Sequence, residues 1–345
     1  MFKNLITSRI VVHFIGNKSV DEGVKLSKKI INTDEELRFI LSDFFTNSFK
    51  SAELFNLYHQ GDLKFNEVYG YVSEIFDDPG SFYNNSVNLA RRLYEKSSHP
   101  KVKSGEFCVV YFEDCEIQGE TVDALGLFKS ENKDVFLKII HADGNFTINS
   151  EEGININKLD KGCLIFNTEK EKGYLVSIVD NANKGNDAQY WKEDFLNVRP
   201  CNDDYHHTQN VLTMCKNFVV DRLPETFEVS KADQVDMLNK SVKFFKEKDT
   251  FSMADFTSEV IQSPEVISVF NNYKKEFSDE REIEIYDEFN ISTPAVKKQQ
   301  RIFKSVIKLD KNFHIYVHGN KDLIERGYDE VTGMHYYKVF FKEEN

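Results

Sequence analysis

The order of apolar and polar positions divides the chain into stretches of different period. Near the N-terminus Ile10-Val11-Val12-His13-Phe14-Ile15 is a β-rich run, and Val24 to Ile31 alternates in part between apolar and Lys positions, which predicts a second strand. The period then becomes helical. Thr33 followed by Glu36 has capping-box spacing, and Leu37, Ile40, Leu41 and Phe44 recur behind it. Phe55, Val68, Tyr71, Val72 and Ile75 extend the helical section, and Val87 to Tyr94 predict another helix beyond the Pro79-Gly80 break. From Gly105 the texture is that of strands: Phe107 to Phe112, Val122 to Lys129, Val135 to Ile140, Leu164 to Asn167 and Tyr174 to Val179, a meander of mostly antiparallel pairs. The polar run from Asp180 to Asp187 is loop chemistry, and Arg199-Pro200 with the polar residues after it marks a domain boundary near 200.

Four helical stripes follow. Val211, Leu212, Cys215, Phe218 and Val219 share one face; Val235, Leu238, Val242 and Phe245 share another behind the Ser230/Asp233 capping box. Ser252 and Asp255 cap a third helix with Met253, Phe256, Val260 and Ile261, and Ser263 before Pro264 starts a fourth through Val266, Phe270, Tyr273 and Phe277. Short links make these a bundle-like unit. The acid-rich stretch from Phe277 to Phe289 separates it from a last β unit. There Phe313, Ile315 and Val317 alternate with His314, Tyr316 and His318, and Tyr337, Val339 and Phe341 alternate with Tyr336, Lys338, Phe340 and Lys342, after an Asp329-to-Gly333 turn. The expected fold class is α+β: a mixed N-terminal domain over 1–200, a helical unit over 201–290 and a small basic antiparallel sheet over 291–345.

Composition narrows the function classes. The chain has 345 residues, 40% of them apolar, and 30 Phe, which excludes a disordered chain and suits two domains with a small third piece. The N-terminal apolar stretch is interrupted by His13 and too short for a signal peptide or a membrane span, so a cytoplasmic protein with no membrane partner is expected. Five cysteines, an odd number without CxxC spacing, read as free thiols in a reducing compartment.

Enzyme fingerprints are absent: there is no GxSxG, HExxH or GxGxxG, and Gly16-Asn17-Lys18-Ser19 lacks the glycines of a phosphate-binding loop. His206-His207, near Cys201, Asp203 and Asp204, is the one cluster of metal-ligand residue types. Adjacent histidines on a helix point about 100° apart, so a polar helix start is the better reading. Asp114, Glu116, Glu120, Asp123, Asp134 and Lys138 have the residue types of a metal-dependent nuclease, but exposed strand ends carry these routinely. No catalytic residue, cofactor or metal site is therefore assigned. The two helices around Met253 to Phe277 resemble a helix-turn-helix, yet Asn271, Asn272, Lys274 and Lys275 fall towards the end of the second helix rather than its base-reading start, which favours the bundle.

Charge is the most informative feature. The net charge of −13 disfavours nucleic-acid binding unless positive groups gather on one surface. They do gather in sequence: from Ile291 to Lys342 ten Lys or Arg face five acids, a net of +5, which leaves −18 for the rest. Strand alternation puts Lys304 and Lys308 on one face, His314, Tyr316 and His318 on the polar face of the next strand, and Lys338 and Lys342 with Tyr336 and Phe340. With Lys297, Lys298 and Arg301 before them, these residues make a candidate DNA-binding face of cations interleaved with aromatics. An ordinary solvated sheet face has the same pattern.

Several short motifs resemble, in order over nearly the whole chain, the 37-kilodalton nucleoid-associated protein family of bacteria. They are Ile10-Val11-Val12-His13, Leu26-Ser27 with the capped helix after it, Gly105-Glu106-Phe107-Cys108-Val109-Val110-Tyr111, Ala124-Leu125-Gly126-Leu127-Phe128-Lys129, Ile154-Asn155-Ile156-Asn157-Lys158-Leu159, and Tyr190-Trp191-Lys192-Glu193-Asp194-Phe195-Leu196. The resemblance implies a cytoplasmic, nucleoid-associated protein that binds double-stranded DNA, with no catalytic residues and no assigned binding residues. The expected function is non-enzymatic duplex binding through backbone phosphates. The alternatives are an acidic adaptor that reaches DNA through a chromosome-associated protein, and a metal-dependent nuclease. A homodimer is left open.

Overall fold

Apolar runs with no polar alternation need cover on both faces, and the first of two units, Met1–Cys201, supplies it. The computed structural model of the chain describes residues 2–182, 190–300, 303, 306–317 and 323–343. The unit opens with β1 (Phe2–Lys3), β2 (Ile6–Ile15), β3 (Val24–Lys25), α1 (Glu35–Thr46), β4 (Phe55–Leu57), α2 (Glu67–Asp77) and α3 (Phe82–Lys96). It continues with β5 (Gly105–Ile117), β6 (Glu120–Ser130), β7 (Asp134–Ala142), β8 (Asn145–Gly153), β9 (Lys161–Phe166), β10 (Leu175–Asp180) and β11 (Val198–Pro200). An antiparallel sheet runs in the order β11-β4-β10-β9-β6-β5-β2-β3, with β1 on β5, while β7 and β8 form a separate ribbon.

The two faces of this sheet are two cores. Val109, Tyr111, Leu125, Leu127 and Ile165 pack with Val68, Val72, Ile75, Leu89 and Leu93 of α2 and α3. The intervening residues Val110, Phe112, Phe128, Leu164 and Phe166 pack with Phe44 and Phe45 of α1. Helices on both sides explain why Cys108-Val109-Val110-Tyr111-Phe112 reads as one apolar run.

Three expectations are corrected. Only Val24 and Lys25 of the stretch to Ile31 are a strand, because the Ser27 N–H goes to His13 Nδ1 (3.2 Å) and that of Ile31 to the Ile10 carbonyl (2.9 Å) instead of to a ladder. Phe55 is not helical: β4 pairs with β10 and β11, a tertiary choice that local period does not carry. The cap of α1 is Asp34, one residue after Thr33, and its carboxylate accepts from the Leu37 N–H (2.8 Å). The stretch to Asp187 passes from Asn183 outside the described residues.

His13, 1% exposed, links β2 to α3. Its Nδ1 accepts from Ser27, and its Nε2 stands 3.1 Å from Ser86 Oγ, whose own proton goes to the Tyr83 carbonyl, so the hydrogen bonds assign the ring proton to Nε2. Burial lowers its pKa from 6.5 to about 4. The folded state therefore binds this proton less readily than the unfolded chain: the stabilisation is complete above pH 6.5 and is lost as pH falls towards 4. The loss is about 3 kcal/mol at most. Urea unfolding from pH 7 to 4.5 should show it in the wild type, and His13→Gln should remove that share of the pH dependence. Parallel pH profiles for the two proteins would contradict the assignment.

The second unit, Asn202–Asn345, contains α4 (Asp204–Asn217), α5 (Leu223–Thr226), α6 (Lys231–Glu247), β12 (Thr250–Ser252), α7 (Met253–Phe256), α8 (Pro264–Arg281), β13 (Glu288–Asn290) and α9 (Thr293–Gln300). They are followed by β14 (Val306–Leu309), β15 (Phe313–Tyr316), β16 (Ile324–Asp329) and β17 (Met334–Val339). Ser230 and Asp233 form both halves of the expected capping box at α6. The helical core gathers Val211, Leu212, Phe218, Leu238, Phe245, Phe256, Phe270 and Phe277, with Phe251 and Phe289 from the paired β12 and β13.

Candidate nucleic-acid interface

The last four strands form two separate ribbons, β14–β15 and β16–β17, where one small sheet was expected. The physical reason is the helix beneath them. Ile307, Ile315 and Leu309 from the first ribbon and Ile324 and Tyr337 from the second pack on one cluster with Val317 and with Val235 and Ala232 of α6, so each ribbon is held by its own apolar face rather than by a shared edge.

On the first ribbon Lys308 lies directly opposite His314 and Val306 opposite Tyr316, while Ile307 faces Ile315 between them. Period-2 alternation thus turns Lys308, His314 and Tyr316 to the open side while Ile307, 1% exposed, is buried. On the second ribbon Lys338 stands opposite Glu325, with 3.9 Å between ammonium and carboxylate, and over the Phe340 ring at 4.8 Å. Tyr336 lies across Gly327, where an added Cβ would meet its ring at 2.2 Å. Lys342 is exposed beyond the strand.

The remaining candidates divide. Lys297 and Lys298 belong to α9, a helix where a β unit was expected, because Ala295, Val296 and Gln299 are buried at helical spacing. Both lysines are on its exposed side, and Lys298 lies 5.8 Å from the Tyr205 ring. Arg301, Lys304 and His318 lie outside the described residues. Lys308, His314 and Tyr316 are therefore brought together, and Lys338 and Lys342 stand on a different ribbon. Sequence reasoning missed Glu325, whose place opposite Lys338 depends on strand register.

The other chemistry is dispersed. His206 Nδ1 meets Asp203 (2.9 Å) while His207 Nε2 meets Asn202 (2.7 Å), and the His207 ring packs on Tyr286. Among the described residues no group of three His, Cys, Asp or Glu is placed to hold a metal ion. Asp123 accepts from the Tyr111 hydroxyl (2.6 Å) and Glu120 from Thr168 (2.8 Å). Glu120 opens β6, whereas Asp134 and Lys138 follow its far end, so these carboxylates and lysine do not share a site. All five cysteines are free and buried, and burial pushes the Cys108 and Cys115 thiols up to about 12. Lys274 on α8 pairs with Asp287, so its charge is already answered. Among the described residues no helix is long and apolar enough to cross a membrane.

The comparison with known families points to nucleoid-associated proteins. Residues 11–332 match the family described as nucleoid-associated protein YejK, and the chain belongs to that family. Proteins of this family are nucleoid-associated. No curated protein matches the chain.

Proposed function

We propose that the protein binds double-stranded DNA directly, without cutting it, by setting lysines of its C-terminal ribbons against backbone phosphates. The open side of β14–β15 carries this reading: Lys308, His314 and Tyr316 share it, and the opposite side is held on α6. Lysine beside an exposed aromatic is suited to a sugar-phosphate chain, and such contacts carry affinity without reading sequence. The net of +5 over 291–342 contrasts with −18 over the rest of the chain, so this region attracts a polyanion while the remainder as a whole repels it. The cytoplasm is the matching location.

A second reading, an adaptor for a chromosome-associated protein, has its own observation. α1 leaves Leu37, Phe39 and Ile40 at 41%, 56% and 41% exposure beside Glu35 and Glu36, an apolar and acidic helix face suited to a partner groove.

Titrating the purified chain into two labelled duplexes of unrelated sequence, with and without Mg²⁺, separates the readings. Direct binding gives similar affinities for both duplexes and leaves them intact. An adaptor shows no affinity on its own, and a nuclease degrades the duplexes when Mg²⁺ is present; either result rejects the proposal.

A further inference from the structure

Among the described residues the ribbon β7–β8 pairs with no other strand, and its register runs unbroken from Asp134 opposite Gly153 to Ala142 opposite Asn145. Nine residues a strand give it a reach of about 30 Å. Nearly every residue on it is exposed. Ile139 lies opposite Ile148, so Val135, Leu137 and Ile139 of β7 share a face with Phe146 and Ile148 of β8. These five are 66%, 71%, 63%, 72% and 66% exposed. The reverse face is mixed: Phe136 and Ile140 stand among Lys138, Glu151, Asn149 and Thr147, with Lys138 paired to Glu151 at 3.4 Å.

A lone two-stranded ribbon is marginal in water, and a contiguous stripe of five large apolar side chains marks an interaction site. We propose that β7–β8 is a dimerisation arm whose apolar face is covered by the same face of a second copy of this chain. Two arguments select a second copy. The first is area: at these exposures the five side chains offer on the order of 500 Å² per copy. Mutual cover then removes about 1,000 Å², the size at which specific interfaces begin.

The second argument is charge. From Asp134 to Gly153 the arm has one Lys against four acids (Asp134, Asp143, Glu151, Glu152), which repels nucleic acid and anionic lipid. On the apolar face itself the titratable residues are His141 near the tip and Glu152 near the base. A twofold axis that crosses the strands at the middle of the arm lays the tip of one copy over the base of the other. Phe146 then covers the base of the second copy, His141 lies over Val135, and each Glu152 has a His141 diagonally beside it instead of another carboxylate.

The test is sedimentation equilibrium of the full chain, with cysteine cross-linking as a second readout. The wild type should be a dimer at about 10 μM, and Ile139→Glu with Ile148→Glu should raise the dimer dissociation constant more than about thirtyfold with unchanged far-UV dichroism. Because the native cysteines are all buried, Ile139→Cys should be joined across the dimer by a thiol-specific cross-linker of about 10 Å span, the spacing of facing sheets, whereas Phe136→Cys on the reverse face should not. A monomeric wild type, a folded double variant that stays dimeric, or equal cross-linking from the two faces would overturn the proposal. DNA affinity does not enter these readouts, so they stand apart from the proposed function.

Discussion

Replacing Lys129 by Met is expected to destabilise the N-terminal unit by about 3–5 kcal/mol, the cost of breaking a buried ion pair from one side. Lys129 and Lys161, opposite one another on β6 and β9, are both fully buried. The Lys129 ammonium donates to the Lys103 carbonyl (2.6 Å) and to the Tyr190 hydroxyl (3.0 Å) and lies 3.2 Å from Glu131. Lys161 pairs with Asp180 at 2.8 Å and reaches Glu131 at 3.9 Å. Burial lowers the Lys129 pKa, and Glu131 acts against that fall by favouring the charged form. Methionine fills the volume but leaves the Lys103 carbonyl without its donor, and leaves Glu131 to the Tyr190 hydroxyl (2.7 Å) and the more distant Lys161 ammonium (3.9 Å). Adding Glu131→Gln should recover about 1–3 kcal/mol, because the under-compensated charge is then gone. Urea unfolding followed by Trp191, the single Trp of the sequence and fully buried in the same unit, reads both steps. A cost below about 1 kcal/mol for Lys129→Met would contradict the ion-pair account.

The second large effect belongs to DNA binding. Lys308, Lys338 and Lys342 are all exposed, so changing the three to Glu should leave the fold intact. A contact that contributes a slope of about 0.9 in log affinity against log salt is worth roughly eightfold between 1 M and 0.1 M salt. Losing three should weaken duplex binding several hundredfold at about 0.1 M salt, equally for unrelated sequences. Far-UV dichroism and the urea midpoint check the fold. A loss confined to one duplex sequence would mean that these side chains read bases and do not hold the backbone.

Local pattern carried much of this fold. The apolar runs of β5 and β6, the Ser230/Asp233 box and the Ser263-Pro264 start of α8 correspond to elements that neighbouring residues determine. β4 is a three-residue strand fixed by partners far along the chain, and no periodicity marks it. β8 was missed because Asn145-Phe146-Thr147-Ile148-Asn149-Ser150-Glu151-Glu152-Gly153 has the polar composition of a loop. A signal was present all the same: Asp143-Gly144, both with positive φ (51° and 76°), is the dipeptide of a tight hairpin turn, and it implies a strand on each side.

The candidate interface was legible to the same depth. Alternation alone placed Lys308, His314 and Tyr316 on one side of their strands. It could not show that α6 would hold two ribbons in place of one sheet, nor that Glu325 would stand opposite Lys338, since both depend on packing between distant segments.

Direct phosphate contact by the C-terminal ribbons is tested most directly by the salt dependence of duplex affinity in the wild type and the Lys308, Lys338, Lys342 triple Glu variant. Counterion release predicts that log affinity falls linearly with log salt in the wild type and that the slope is shallower by about 2.7 in the variant. Equal slopes in two folded proteins would contradict the account and take the interface away from these ribbons.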